Sequence, residues 1–269
     1  MKNLLLRSLM FVPGHNEELL EKAIKSKADV LLTDIEDSVQ PENNKKKARE
    51  NILKMSNEGK LKHKLIFPRV NDRESGHLLK DVYELSVPGI DGFMYPKAKN
   101  GNDIYFIDKL LETIEYEKNI EIGTFKLIPL IETSAAVLNA QEICTSSSRV
   151  IAIAFGCEDF ITDLDGQHDD ESESIFVPRA MIAMAARASS VIPIDTVHVK
   201  VHDLEDLERN LKVSKKLGFE GMLILNPKEI DLAHKYYSPS EQEVADSEEL
   251  LRLFEENKLR KVKEARKTA

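Results

Sequence analysis

Short apolar runs alternate with longer amphipathic stretches along this chain, and the alternation repeats eight times. The apolar runs span residues 8–12, 30–35, 65–70, 92–95, 126–131, 150–155, 194–199 and 221–225. Their length and their richness in Ile, Leu and Val are those of parallel strands buried on both faces. Between them, residues 16–26 open with Asn16 as an N-cap, and residues 45–55 form an amphipathic helix. Further helices are predicted over 103–117, 135–144, 177–188 and 204–217, with Gly218 where a C′ glycine ends the last. Eight such alternations in about 240 residues predict a (β/α)8 TIM barrel, with a doubly wound open sheet as the competing arrangement.

No low-complexity linker interrupts the pattern. Residues 1–239 are therefore assigned to the barrel and 240–269 to a C-terminal helical tail. The tail is acidic early and basic late (Lys258, Arg260, Lys261, Lys263, Arg266, Lys267), a polarity that suits the helix dipole.

Composition narrows the function classes. At 269 residues and 42% hydrophobic, the chain can bury a large core, and its net charge of −9 argues against a nucleic-acid partner. No apolar stretch approaches the ~20 residues of a membrane span, and the apolar part of residues 1–7 is too short for a signal peptide. Two cysteines, Cys144 and Cys157, make no disulfide scaffold and fit a reducing cytoplasm.

In a barrel the chemistry sits where the strands end. Those exits read Pro13-Gly14-His15, then Asp34-Ile35-Glu36-Asp37, Arg69-Val70-Asn71, Pro96-Lys97, Glu132, Glu158-Asp159, His202-Asp203 and Asn226-Pro227. Acids at neighbouring exits five and six can share a divalent cation, since a desolvated carboxylate needs a partner. Hard oxygen ligands suit Mg²⁺, or Mn²⁺, rather than zinc. The basic candidates Arg7, Arg69 and Lys97 would hold an anionic oxygen chelator such as a 2-oxo acid. Metal-assisted C–C cleavage or formation through an enolate is the chemistry such a site serves.

Other features carry less. Cys157 reads as a small buried thiol. His198 and His202, four apart and hence on one face of a strand, lack a third zinc ligand. Lys45, Lys46 and Lys47 read as an exposed helix face, and residues 169–173 as a solvated loop or a lid. There is no glycine-rich phosphate loop of the kinase or dehydrogenase type.

Seven ordered blocks carry a resemblance: Arg7-Ser8-x-x-Phe11-Val12-Pro13-Gly14, Asp34-x-Glu36-Asp37-Ser38-Val39, Lys47-Ala48-Arg49, Arg69-Val70-Asn71, Pro96-Lys97, Ile131-Glu132-Thr133 and Gly156-x-Glu158-Asp159. They resemble the citrate lyase β-subunit family within the HpcH/HpaI aldolase superfamily of metal-dependent barrels. The resemblance implies that Glu132 and Asp159 bind Mg²⁺, that Arg69 contacts substrate with Arg7 nearby, and that Glu36 and Asp37 form an acidic shell. It implies cleavage of a 3-hydroxy-dicarboxylyl thioester, of citramalyl, malyl or citryl type on coenzyme A or acyl carrier protein, to an acetyl thioester and a 2-oxo acid. A homotrimer is implied as well. The chain departs from the family at Asn226, where many relatives have histidine, and lacks a lid segment after Leu251. Glu36, Asp37 or a metal-bound water is thus left as acid/base. The rival expectations are a metal-dependent aldolase of free 2-oxo acids and a non-catalytic metabolite-binding barrel.

Overall fold

The computed structural model describes residues 4–167 and 173–268, with side chains as far as residue 258. Eight parallel strands form one sheet: β1 (Ser8–Pro13), β2 (Val30–Asp34), β3 (Leu65–Ile66), β4 (Gly92–Tyr95), β5 (Lys126–Ile131), β6 (Ala152–Phe155), β7 (Ile192–Asp195) and β8 (Gly221–Ile224). Their order is β3-β2-β1-β8-β7-β6-β5-β4. The remaining seam between β3 and β4 closes around Arg69, after a first bond from Asp91 N to Ile66 O at 3.0 Å. Arg69 bridges Asp34 on one side and Met94 on the other, with Met94 N donating to Pro68 O at 2.9 Å and Val70 N to Met94 O at 3.2 Å. The result is the (β/α)8 barrel that the pattern predicts.

Helices α1 (Glu17–Ile24), α2 (Asn44–Asn57), α3 (Leu78–Leu85), α4 (Gly101–Glu117), α5 (Ser134–Leu138), α6 (Ala140–Thr145), α7 (Cys157–Asp163), α8 (Glu173–Ala188), α9 (Leu204–Leu217) and α10 (Ile230–Tyr237) accompany the strands. Asn16 caps α1 by accepting from Leu19 N, and Gly218 ends α9 at φ 93°. The stretch predicted as one helix over 135–144 breaks at Asn139, whose side chain donates to Lys99 O. The tail forms α11 (Glu241–Thr268). It carries Leu250, Leu251 and Phe254 two-thirds exposed. Residues 169–172 of the expected loop lie outside the described residues, and Glu173 opens α8.

Side-chain alternation divides the core in two, as a closed sheet requires. Leu9, Leu32, Phe67, Met94, Ile128, Leu130, Ala154, Ile194 and Leu223 fill the barrel interior. Their neighbours Met10, Leu31, Ile66, Phe93, Leu127, Ile153 and Met222 face the helices. Continuing that inward parity to the strand ends and just beyond puts Asp34, Arg69, Glu132, Gly156 and Thr196 in the layer at the barrel mouth. Among the described residues, no helix is long and apolar enough to cross a membrane.

Strand β8 comes unusually close to the start of β1. A Cβ added at Gly221 would stand 1.8 Å from Leu6 O. Gly221→Ala should therefore cost roughly 3 kcal/mol or more in urea unfolding. Gly123→Ala, with nothing within 4 Å and only its φ of 86° against it, should cost about 1 kcal/mol.

Candidate active site

Asp34, the last residue of β2, is buried at 1% exposure. Arg69 grips it with two parallel bonds, Nε to Oδ1 and Nη2 to Oδ2, both at 2.7 Å. The same oxygens accept the backbone N–H of Glu36 and of Ser38, each at 3.0 Å. Burial works against the charge, yet Arg69 and these N–H groups outweigh it and hold the Asp34 carboxyl below its usual range. The remaining guanidinium nitrogen, Nη1, lies 3.1 Å from Glu36 Oε2 and 3.2 Å from Asp37 Oδ2. The ring of Phe11 supports the guanidinium from one face at 4.8 Å.

Glu36 is 4% exposed, and Lys97 Nζ stands 3.1 Å from its Oε1. Its oxygens touch two cations but make no well-aligned hydrogen bond. Burial, with the charge of Asp37 added, prevails over Arg69 and Lys97 and pushes the Glu36 carboxyl up to about 7. Lys97 has the left-handed φ of 54°, uncommon for a side chain of this size. That conformation turns its backbone N–H onto Glu132 Oε1 at 2.6 Å, so the strain sits where it orients a buried acid.

Glu132 leaves β5 at 2% exposure. Its second oxygen, Oε2, makes no hydrogen bond among the described residues and stands over Gly156, where an added Cβ would meet it at 3.0 Å. The same added Cβ would stand 2.9 Å from Glu132 Cβ, so position 156 has no room for a side chain beside this residue. Burial, then the charges of Glu36 and Asp159, raise the Glu132 carboxyl well above its ordinary value. Just past Gly156, α7 presents Asp159 in its first turn, exposed. Glu132, Asp159 and Lys97 line one open cleft of about 710 Å³, with Asp72, Arg73 and Asp103 on its walls.

This donor set fits a hard divalent cation: two carboxylates, one with an uncommitted oxygen, in a place that penalises their negative charge. Among the described residues no group of three His, Cys, Asp or Glu forms a protein-only cage. A two-carboxylate site leaves the other positions to water and substrate.

Of the residues expected at the site, the structure brings together Glu36, Asp37, Arg69, Lys97, Glu132 and Asp159. Arg7 lies elsewhere. It precedes β1 at the opposite end of the barrel, paired with Asp29 through Nε at 2.9 Å and Nη2 at 2.8 Å and bonded to Ser238 Oγ at 2.9 Å. Its position before the strand, where barrels hold stabilising residues, accounts for this. Lys45, expected in solvent, is instead buried, donating to Asn71 Oδ1 and to Glu36 O at 3.2 Å. Asn71 in turn donates its backbone N–H to Asp81 at 3.0 Å, and Asp81 pairs with Arg49 at 2.8 Å. This buried network holds the Ile35–Glu36 backbone from behind. His198 and His202 stand in the loop after β7, which ends at Asp195. Cys157 is a buried free thiol, as expected, with burial pushing it up to about 12. Asp34 stands among the predicted strand exits but without a role, and Thr196, whose Oγ1 accepts Cys157 N at 3.3 Å, is not among them. Inward parity on β2 and β7 is the signal that marks both.

The pKa of Glu36 has a readable sign. The folded state keeps this proton between about 4.5 and about 7 while the unfolded chain releases it, so stability falls as pH rises through that window. Glu36→Gln should match wild type below pH 4.5 and exceed it above pH 7 by up to about 3 kcal/mol, read from urea melts in chelator.

The HpcH/HpaI aldolase/citrate lyase family model matches residues 7–227. Citrate lyase subunit beta of Leuconostoc mesenteroides subsp. cremoris is 29% identical over 252 residues, 94% of this chain and 83% of that protein. L-malyl-CoA/beta-methylmalyl-CoA lyase of Rhodobacter capsulatus is 30% identical over 272 residues, 94% of this chain and 85% of that protein. The citrate lyase beta subunit of M. tuberculosis, solved with oxaloacetate and magnesium, superposes with a TM-score of 0.70 at 23% identity, covering 87% of this chain and 99% of that one.

Proposed function

The chain belongs to the HpcH/HpaI aldolase/citrate lyase family, a carbon–carbon lyase like its named relatives, and we propose that it cleaves a 3-hydroxy-dicarboxylyl thioester, of citramalyl-, malyl- or citryl-CoA type, into an acetyl thioester and a 2-oxo acid. The observation that carries this reading is the uncommitted, charge-penalised Glu132 oxygen beside Asp159, with Arg69 and Lys97 held at the same barrel mouth. Glu132 and Asp159 would hold Mg²⁺, or Mn²⁺ in its place. The cation supplies positive charge for the chelating oxygens of the 2-oxo acid and for the enolate.

The chain's own residues account for the rest. Arg69 Nη1 faces Asp37, whose carboxylate is 57% exposed and free to swing aside. A substrate carboxylate takes that place and gains a charge-assisted bond while Asp34 keeps the guanidinium plane fixed. Glu36, titrating near neutrality, accepts the proton of the C3 hydroxyl. The hydroxyl oxygen becomes the new carbonyl, the C2–C3 bond breaks, and the electron pair passes to the thioester enolate. Proton return to that carbon, from the acid just formed, completes the acetyl thioester. Lys97, 3.1 Å from Glu36, holds the carboxylate form ready for the next turnover.

Exposed Leu250, Leu251 and Phe254 on α11 support association of copies, for which a homotrimer is the proposed state, and the two free buried cysteines support a reducing, cytoplasmic setting.

The test is acetyl-CoA release from malyl-, citramalyl- and citryl-CoA, with Mg²⁺ and with chelator. One thioester should turn over, and chelator, Glu132→Gln or Asp159→Asn should each lower kcat at least 100-fold. Arg69→Lys should raise KM and lower kcat, because a point charge cannot replace the bidentate grip on Asp34. Turnover of free 2-oxo-acid aldols without thioester would assign the rival aldolase, and activity that survives chelator would sink the cation site.

A further inference from the structure

The glycine that makes room for Glu132 leaves a structural debt. Gly156 is the N-cap of α7, the helix that carries Asp159 in its first turn, and it has no side chain with which to cap. A helix start leaves its first N–H groups without intrahelical partners, and a capping oxygen is worth about 1 kcal/mol there. The missing acceptor comes from another strand. Thr196 Oγ1, from the residue just past β7, accepts the Cys157 N–H at 3.3 Å.

Thr196 is itself held. Asp195, the last residue of β7, faces the helices, as the parity of Ile194 in the interior demands. There Arg179 of α8 grips it, Nε to Oδ1 at 3.0 Å and Nη2 to Oδ2, with both residues 3% exposed. Asp195 Oδ1 also accepts Thr196 N at 2.9 Å. The carboxylate is thus locked to a helix outside the barrel while the next residue reaches inward to the turn before Asp159.

We propose that Thr196 is a positioning residue, a surrogate helix cap that sets Asp159 against Glu132, with the Arg179–Asp195 pair as its anchor. The proposal rests on the reading of Glu132 and Asp159 as the cation ligands. Residues that orient metal ligands from outside commonly contribute 10–100-fold to affinity. A role confined to packing would lower stability and leave cation affinity alone.

The experiment measures Mn²⁺ affinity directly, by electron paramagnetic resonance and calorimetry, on the full chain without substrate. Thr196→Val should weaken Mn²⁺ at least tenfold, and Thr196→Ser, which keeps the hydroxyl, should restore most of it. Ser214→Ala, which removes the neighbouring buried bond to Tyr237 OH (2.6 Å), should leave affinity unchanged. Equal Mn²⁺ affinity in wild type and Thr196→Val would overturn the proposal while leaving the cation site intact. A wild type that binds no Mn²⁺ would overturn the site and the proposal together. If Thr196→Val does not fold, hydrogen exchange of the Cys157 amide in wild type decides. Protection as strong as that of the β6 amides supports the cap, and exchange at the rate of an open loop overturns it.

Discussion

Arg69 performs two tasks that elsewhere fall to different residues. Its backbone is the stitch between Asp34 and Met94 that closes the sheet. Its side chain is the counter-charge for Asp34 and, through Nη1, for Glu36 and Asp37. Removing one partner of a buried pair strands the other charge, at about 3–5 kcal/mol. The closure of the barrel and the electrostatics of its mouth are therefore one constraint. The acids can crowd together because the residue that balances them also fixes the distance between their strands.

Even so, the mouth is not neutral. Glu132 and Glu36 are both buried, and both are displaced upward in pKa, chiefly by burial and then by nearby like charge. A site of this kind holds unspent electrostatic free energy, ready to be released by a cationic ligand. Lys97 shows the same economy in its backbone, where a left-handed φ of 54° is tolerated because it delivers an N–H to Glu132. The supporting network of Lys45, Asn71, Asp81 and Arg49 sits behind this layer and keeps the Glu36 backbone from yielding to the repulsion.

The barrel was legible because eight apolar runs at regular spacing permit few other arrangements. The acids at the mouth were legible because a carboxylate at the end of a buried strand has no place in a core. What stayed hidden follows from local chemistry. The pattern predicts β7 over 194–199, where Val197 and Val199 continue the apolar positions. In the fold Pro193 lies within the strand, opposite Ile153, and Asp195 ends it. The longer prediction puts His198 on the strand and hides Thr196 as its exit. Helices α3, α7 and α10, of 8, 7 and 8 residues, give about two turns of periodicity each, and unlike the equally short α1 with its Asn16 they start at His77, Gly156 and Glu229, which send no capping signal. Lys45 looked like solvent because its neighbours Lys46 and Lys47 are indeed exposed. Only the tertiary position of Asn71 reveals where its ammonium goes.

The missing side chain at Gly156 also links residues far apart in sequence. Glu132 has its reach because position 156 is empty, and position 156 can be empty because Thr196 supplies the cap from another strand. None of the three is free to vary alone. An alanine at 156 would meet Glu132 Cβ at 2.9 Å as well as its Oε2 at 3.0 Å, so a shorter acid at 132 would not relieve it, and the glycine that must stay there leaves the cap to the hydroxyl at 196. Such positions are strongly non-additive in their effects. The corner of the barrel between β5 and β7 thus changes as a unit, and a redesigned site here has to be drawn as a set of three residues.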